Sequence, residues 1–136
     1  VKVQNVFDKA IRLMDEQNES TGTTVTADTK EYLVRTPDIL DSILARVSLS
    51  VGRPYARVIA VGDEIQLDDA VVSGVLPYYL ASALIAIEAQ DSVLAAYFSK
   101  AGDAALAVIT ARLIKAEPEP VEDVYGGLEY GEFARW

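Results

Sequence analysis

Four carboxylates, Asp63, Glu64, Asp68 and Asp69, fall close together in the sequence and form its one candidate for an oxygen-ligand site for Mg²⁺ or Ca²⁺. They lack the alternating Asp/Asn and the glycine of an EF-hand loop. A turn at Asp63 and a helix cap at Asp68 account for the same charges, so no metal is expected. Tyr78 and Tyr79 follow Pro77 on an apolar stretch, where a phenol can donate a proton or touch a ligand; core rings with their hydroxyls at the boundary explain them better. Arg53, Arg57 and Lys100 are too scattered to make a nucleic-acid patch. Gly126-Gly127 has no lysine and Ser/Thr at phosphate-loop spacing. The sequence contains neither cysteine nor histidine, which removes thiol nucleophiles, disulfides, the usual zinc sites and imidazole acid-base catalysis. An all-α nucleotide pyrophosphohydrolase needs paired carboxylate motifs on facing helices, and the apolar run from Pro77 to Ile87 has none. No catalytic residue, cofactor or metal is therefore expected, and the chain reads as a non-enzyme.

The elements that would position these groups belong to a chain of 136 residues, one domain's worth, 51% hydrophobic and with a formal net charge of -9. The negative charge argues against nonspecific attraction to phosphate backbones or anionic lipid. It equally suits a wall past which DNA slides without sticking. No uninterrupted apolar run reaches the roughly 18 residues of a membrane span, so a soluble protein is expected. No secretory signal is visible at the start of the sequence.

Apolar positions predict an all-α fold, a bundle of four to five helices with an irregular middle loop and an extended C-terminal arm. Val6, Phe7, Ala10, Ile11, Leu13 and Met14 give a first amphipathic helix over residues 5–18. After a polar loop, Thr26 offers an N-cap to a run containing Tyr32, Leu33 and Val34. Thr36-Pro37-Asp38 then reads as a kink or a fresh start. Ile39, Leu40, Ile43, Leu44, Val47 and Leu49 continue to Gly52-Arg53-Pro54, where glycine permits the turn and proline forbids more helix. Residues 57–61 suggest a short strand and Gly62-Asp63 a turn. Asp68 should cap a helix that Pro77 kinks or restarts. Residues 77–89 are almost wholly apolar and predict a central helix covered on most sides. Asp91-Ser92 caps the last helix, in which Leu94, Phe98, Ala101, Ala105, Val108 and Ile109 recur to about Lys115. Gly102, inside it, signals a close crossing or simple tolerance.

Glu117-Pro118-Glu119-Pro120 ends that helix and stiffens the exit, dividing a helical domain, 1–116, from an arm, 117–136. The arm carries Tyr125, Tyr130, Phe133 and Trp136 among glycines and acidic residues. Its glycines make it too flexible to pack on itself, and its ring spacing matches no strand period. Burial against another body is the expected driving force, and these four residues are the candidate protein-interaction site. The body is either this protein's own helices or a neighbouring subunit.

Three stretches taken together, Asp63-Glu64-Ile65-Gln66-Leu67-Asp68-Asp69, Gly74-Val75-Leu76-Pro77-Tyr78 with Leu80-Ala81 behind it, and the closing VEDVYGGLEYGEFARW, resemble the head-tail connector, or head-completion, proteins of tailed bacteriophages and prophages. The resemblance runs from Asp63 to the C-terminus; the first half agrees in helix pattern and length only. Tyr79 departs from the pattern, since relatives often have glycine there. The resemblance implies a small, mainly helical virion protein made in the bacterial host cytoplasm. Its subunits would form a homo-oligomeric ring at the head-tail junction, touching the portal protein and tail-side adaptor proteins. DNA would pass through the lumen without specific binding, no membrane would be involved, and no catalytic residues would be carried over. Two readings of other classes stand beside it: a small helical binding module or regulator that never assembles into rings, and a Mg²⁺-dependent nucleotide hydrolase, which needs a convergent carboxylate pocket.

Overall fold

The computed structural model describes residues 1–16, 20–89 and 91–116 and is mostly helical, with no strand among the described residues. Five α-helices follow in chain order: α1 (Val3–Leu13), α2 (Lys30–Ser50), α3 (Asp69–Gly74), α4 (Leu76–Leu84) and α5 (Ser92–Ala116). A π-helical turn, Ile85–Ala89, extends α4. The apolar run after Pro77 makes α4 the hub, packed against α1, α2, α3 and α5. Leu76, Leu80, Ala81 and Leu84 of α4 are fully buried with Val3, Phe7 and Ile11 of α1 and Leu40 of α2. Burying each such side chain contributes about 1.5–3 kcal/mol, so this layer is the main source of cohesion.

The first helix is shorter at its end than its apolar pattern suggests. It stops at Leu13 because Asp15 takes a left-handed conformation, φ 59°. The Asp15 N–H then reaches the Arg12 carbonyl (3.1 Å) and the Glu16 N–H the Ile11 carbonyl (3.0 Å), closing the helix as a Schellman turn. Helix α2 ends the same way at the expected place, with Gly52 at φ 72°, Gly52 N–H on Leu49 O (3.3 Å) and Arg53 N–H on Ser48 O (2.9 Å).

One helix passes through Pro37, so of the kink and the fresh start read there the fresh start does not occur. A mid-helix proline costs about 3 kcal/mol. Here packing on both sides of it outweighs that cost: Leu40, Ile43, Leu44 and Val47 are buried beyond Pro37, and Tyr32 and Leu33 pack on the core before it. The buried Thr36 hydroxyl donates to the Tyr32 carbonyl at 2.7 Å. The cap expected at Thr26 is not made: α2 begins after Thr29, which makes no side-chain cap, and the Thr26 hydroxyl instead accepts the Asp28 and Thr29 N–H groups, 3.2 Å each, in the turn ahead of the helix.

Residues 53–67 are irregular, with a turn at 60–63, and form no strand. Side chains take three of their N–H groups: Val58 N–H by Asp41 Oδ1 (3.0 Å), and Ile59 and Ala60 N–H by Asp63 Oδ2 (2.7 and 2.9 Å). The one ladder-like contact is an isolated antiparallel bridge between Lys2 and Glu64. That contact finishes α1, whose first free N–H groups, on Val3 and Gln4, donate to the carbonyls of Asp63 (3.0 Å) and Val61 (2.9 Å).

Two stretches, Asp69–Ile87 and Ser92–Leu113, are each long and apolar enough in composition to cross a bilayer. The first is largely buried within the protein, as a core helix is; the second is largely uncovered.

Candidate functional site

Three of the four carboxylates singled out in the sequence, Asp63, Glu64 and Asp68, serve separate structural ends. Asp63 closes its own turn, with its N–H on the Ala60 carbonyl (3.1 Å), and the two amide bonds to its carboxylate hold its pKa below the ordinary aspartate value. Glu64 Oε1 accepts from the Val1 amino group at 3.1 Å. Asp68 is the residue before α3, yet its carboxylate does not bond the helix N–H groups; it meets the Arg53 guanidinium at 3.4 Å. Among the described residues, no three carboxylates converge on one point.

Tyr79 is the most constrained polar group. Its ring lies against Gly102 of α5, where a Cβ would stand 2.9 Å from Tyr79 Cε1. The glycine in the last helix therefore marks a close crossing of α4 and α5. The Tyr79 hydroxyl donates to Asp103 Oδ1 at 2.5 Å, and the Arg46 guanidinium of α2 sits 5.6 Å from the ring centre. Burial first, then the bond to the Asp103 carboxylate, pushes the phenol up to about 12. Such a phenol stays neutral and fixes three helices together. This matches the core reading of the tyrosine pair, and Ser82 Oγ, donating to Ala95 O at 2.7 Å, adds a second clasp between α4 and α5.

Asp41 of α2 does similar work for the segment that follows the helix. Its Oδ1 accepts from the Tyr55 hydroxyl (2.6 Å) and the Val58 N–H, which fastens the 53–67 segment to α2. The Tyr55 bond, then the Val58 bond, lower the Asp41 pKa. Arg53, Arg57 and Lys100 are exposed, with Arg53 paired to Asp68.

What remains is an apolar surface. Along α5 the buried side consists of Ala95, Phe98 and Gly102, with Ala105, Leu106 and Ile109 partly buried. Leu94 and Val108 were grouped with Phe98 on the sequence pattern, and both are exposed: α5 meets the body along one stripe only, because α4 is its principal partner. Val93 and Tyr97 stand 81% and 65% exposed on the outer side. From Tyr97 an aromatic path leads inward, to Phe98 edge-on at 5.4 Å and on to Tyr78 at 6.4 Å. A second set of exposed apolar side chains, Val34 and Leu49, lies on α2, with Ile59 on the neighbouring segment. An alternating or helical pattern does not by itself tell a covered face from an uncovered one, so these surfaces were missed in the sequence. The near-uniform apolarity of α5 was the available signal. The sequence-derived interaction residues Tyr125, Tyr130, Phe133 and Trp136 lie outside the described residues.

Comparison with known protein families, curated proteins and solved structures finds no match to this chain.

Proposed function

We propose that this chain is a structural virion protein, a ring-forming head-tail connector that docks beneath the portal of a tailed bacteriophage and extends its DNA channel. The observation that carries the reading is the uncovered apolar side of α5, where Val93 and Tyr97 face outward on a helix that is largely unburied. A contiguous apolar surface of this kind marks a place where another protein sits. A ring requires heterologous contacts, in which one patch of each subunit meets a different patch of the next. The outer side of α5 is one such patch; Val34 and Leu49, near opposite ends of α2, and Ile59 are further exposed apolar positions.

In this reading the helices are the body of the subunit and residues 117–136 an extended arm. Tyr125, Tyr130, Phe133 and Trp136 anchor that arm on a neighbouring connector or portal subunit. The net charge of -9 keeps a channel wall from holding DNA. The carboxylates and tyrosines already engaged in structural bonds support a role without catalysis, metal or cofactor. The protein is made in the host cytoplasm and ends at the head-tail junction.

The test is sedimentation of the chain with portal rings encoded in the same phage or prophage genome, comparing the full chain with one lacking residues 121–136. Full chain should co-sediment and the shortened chain should not. Undiminished assembly of the shortened chain refutes the role of the arm. A full chain that stays monomeric beside the rings favours a helical binding module instead.

A further inference from the structure

We infer that the outer side of α5 near its start, Val93, Leu94 and Tyr97 with Lys100 beyond them, is the receptor for the aromatic arm of an adjacent copy of this chain. The inference rests on the ring-former reading and names the surface that reading leaves open. Val93 and Tyr97 are one helical turn apart, as are Tyr97 and Lys100, so the patch is continuous. Tyr97 already packs edge-on against Phe98, which gives an incoming ring an aromatic floor backed by the core.

Charge selects the occupant. Residues 117–136 carry six carboxylates against one guanidinium, and they interleave with the rings. The patch offers the Lys100 ammonium. Asp91 sits at the helix start, its carboxylate accepting from the Leu94 N–H at 3.0 Å and offsetting the positive end of the helix. A second copy of the same patch would set Lys100 against Lys100, whereas the arm brings opposite charge.

Direction selects the copy. The arm leaves from the far end of α5, about 35 Å from Val93 at 1.5 Å per residue. Twenty extended residues span up to about 66 Å, so reach is no obstacle. A proline disfavours helical backbone in the residue before it and carboxylates are repelled by a helix C-terminus, so the sequence Glu117-Pro118-Glu119-Pro120 argues against a return along α5.

The absence of native cysteine makes cross-linking unambiguous. Chains carrying Ala96→Cys, an exposed position beside the patch, are mixed under mild oxidation with size-tagged chains carrying Ala134→Cys, between Phe133 and Trp136. The mixed disulfide should exceed that of a Ser42→Cys control partner on α2 by at least about tenfold, the gain expected from a docked arm's effective concentration. Adding Tyr97→Glu to the Ala96→Cys chain should remove that excess. The double variant Ala96→Cys/Ala134→Cys should give a ladder of covalent oligomers. A yield equal to the Ser42→Cys control, or a double variant that closes only within single chains, overturns the inference. Portal docking is read separately by sedimentation: a mixed disulfide without docking keeps this contact and removes the connector reading, and docking without the disulfide does the reverse.

Discussion

Gly102→Ala sets two effects of similar size against each other, and the geometry decides the sign. In the interior of a helix the change from glycine to alanine stabilises by about 1 kcal/mol. The new methyl group, however, would stand 2.9, 3.0 and 3.2 Å from Tyr79 Cε1, Cδ1 and Cζ. These are mid-ring atoms of a buried side chain, and the ring is held by its bond to Asp103 and by Arg46. Overpacking of this kind costs about 1–3 kcal/mol. A ring displaced by a few tenths of an ångström also loosens a hydrogen bond to a carboxylate, a class of bond worth about 1.5–3 kcal/mol. The expected result is a net loss of about 1–3 kcal/mol after the propensity gain is subtracted, measured by urea denaturation followed by circular dichroism. Repeating the substitution in a Tyr79→Leu background isolates the cause. There the clash is relieved, and Gly102→Ala should stabilise by about 1 kcal/mol. Equal or greater stability of Gly102→Ala in the native background would refute the tight crossing of α4 and α5.

Asp15→Gly should raise stability by about 0.5–1 kcal/mol, because glycine adopts the left-handed conformation that ends α1 without the steric cost of a Cβ; a lower denaturation midpoint would contradict this. Tyr79 contributes an alkaline dependence. Its folded pKa of about 12 lies above the unfolded value of 10.0, so its contribution is fully present below pH 10 and is lost as pH rises toward 12. Tyr79→Phe should remove that part of the alkaline loss, read from denaturation midpoints across this window. Asp63 has the opposite sign: its pKa is depressed, so its turn holds above the ordinary aspartate range and weakens as pH falls through the folded value. Asp63→Ala should accelerate hydrogen exchange at the Ile59 and Ala60 amides, and unchanged exchange there would show that the carboxylate does not hold them.

Some one-residue stop and start signals made the fold legible. Gly52 and Asp91 ended and opened helices as read, and Pro77 separated α3 from α4. The apolar run behind Pro77 identified α4 as the central helix because no register of it is polar enough to face water. At Pro37 the choice between a kink and a fresh start stayed open because a local penalty of a few kcal/mol is visible in sequence and the opposing tertiary packing is not. The end of α1 was hidden for a related reason: Asp15 occupies a position that glycine usually advertises. Residues 57–61 looked like a short strand, but Asp41 and Asp63 take up the amides of residues 58–60 that a neighbouring strand would need. The acidic group was distributed among a turn, an amino group and an arginine because residues adjacent in sequence need not point the same way in irregular backbone. Gly102 announced a close approach, yet only the fold identifies Tyr79 as what approaches. The uncovered side of α5 was the least legible feature, since apolar residues surround the helix and only tertiary packing distinguishes the side that α4 covers.

Electron microscopy of this chain mixed with portal rings from the same phage or prophage genome tests the central claim most directly. The connector reading expects added ring-shaped density on the tail side of the portal, continuous with its channel. Portal rings that are unchanged by saturating amounts of the chain would contradict it.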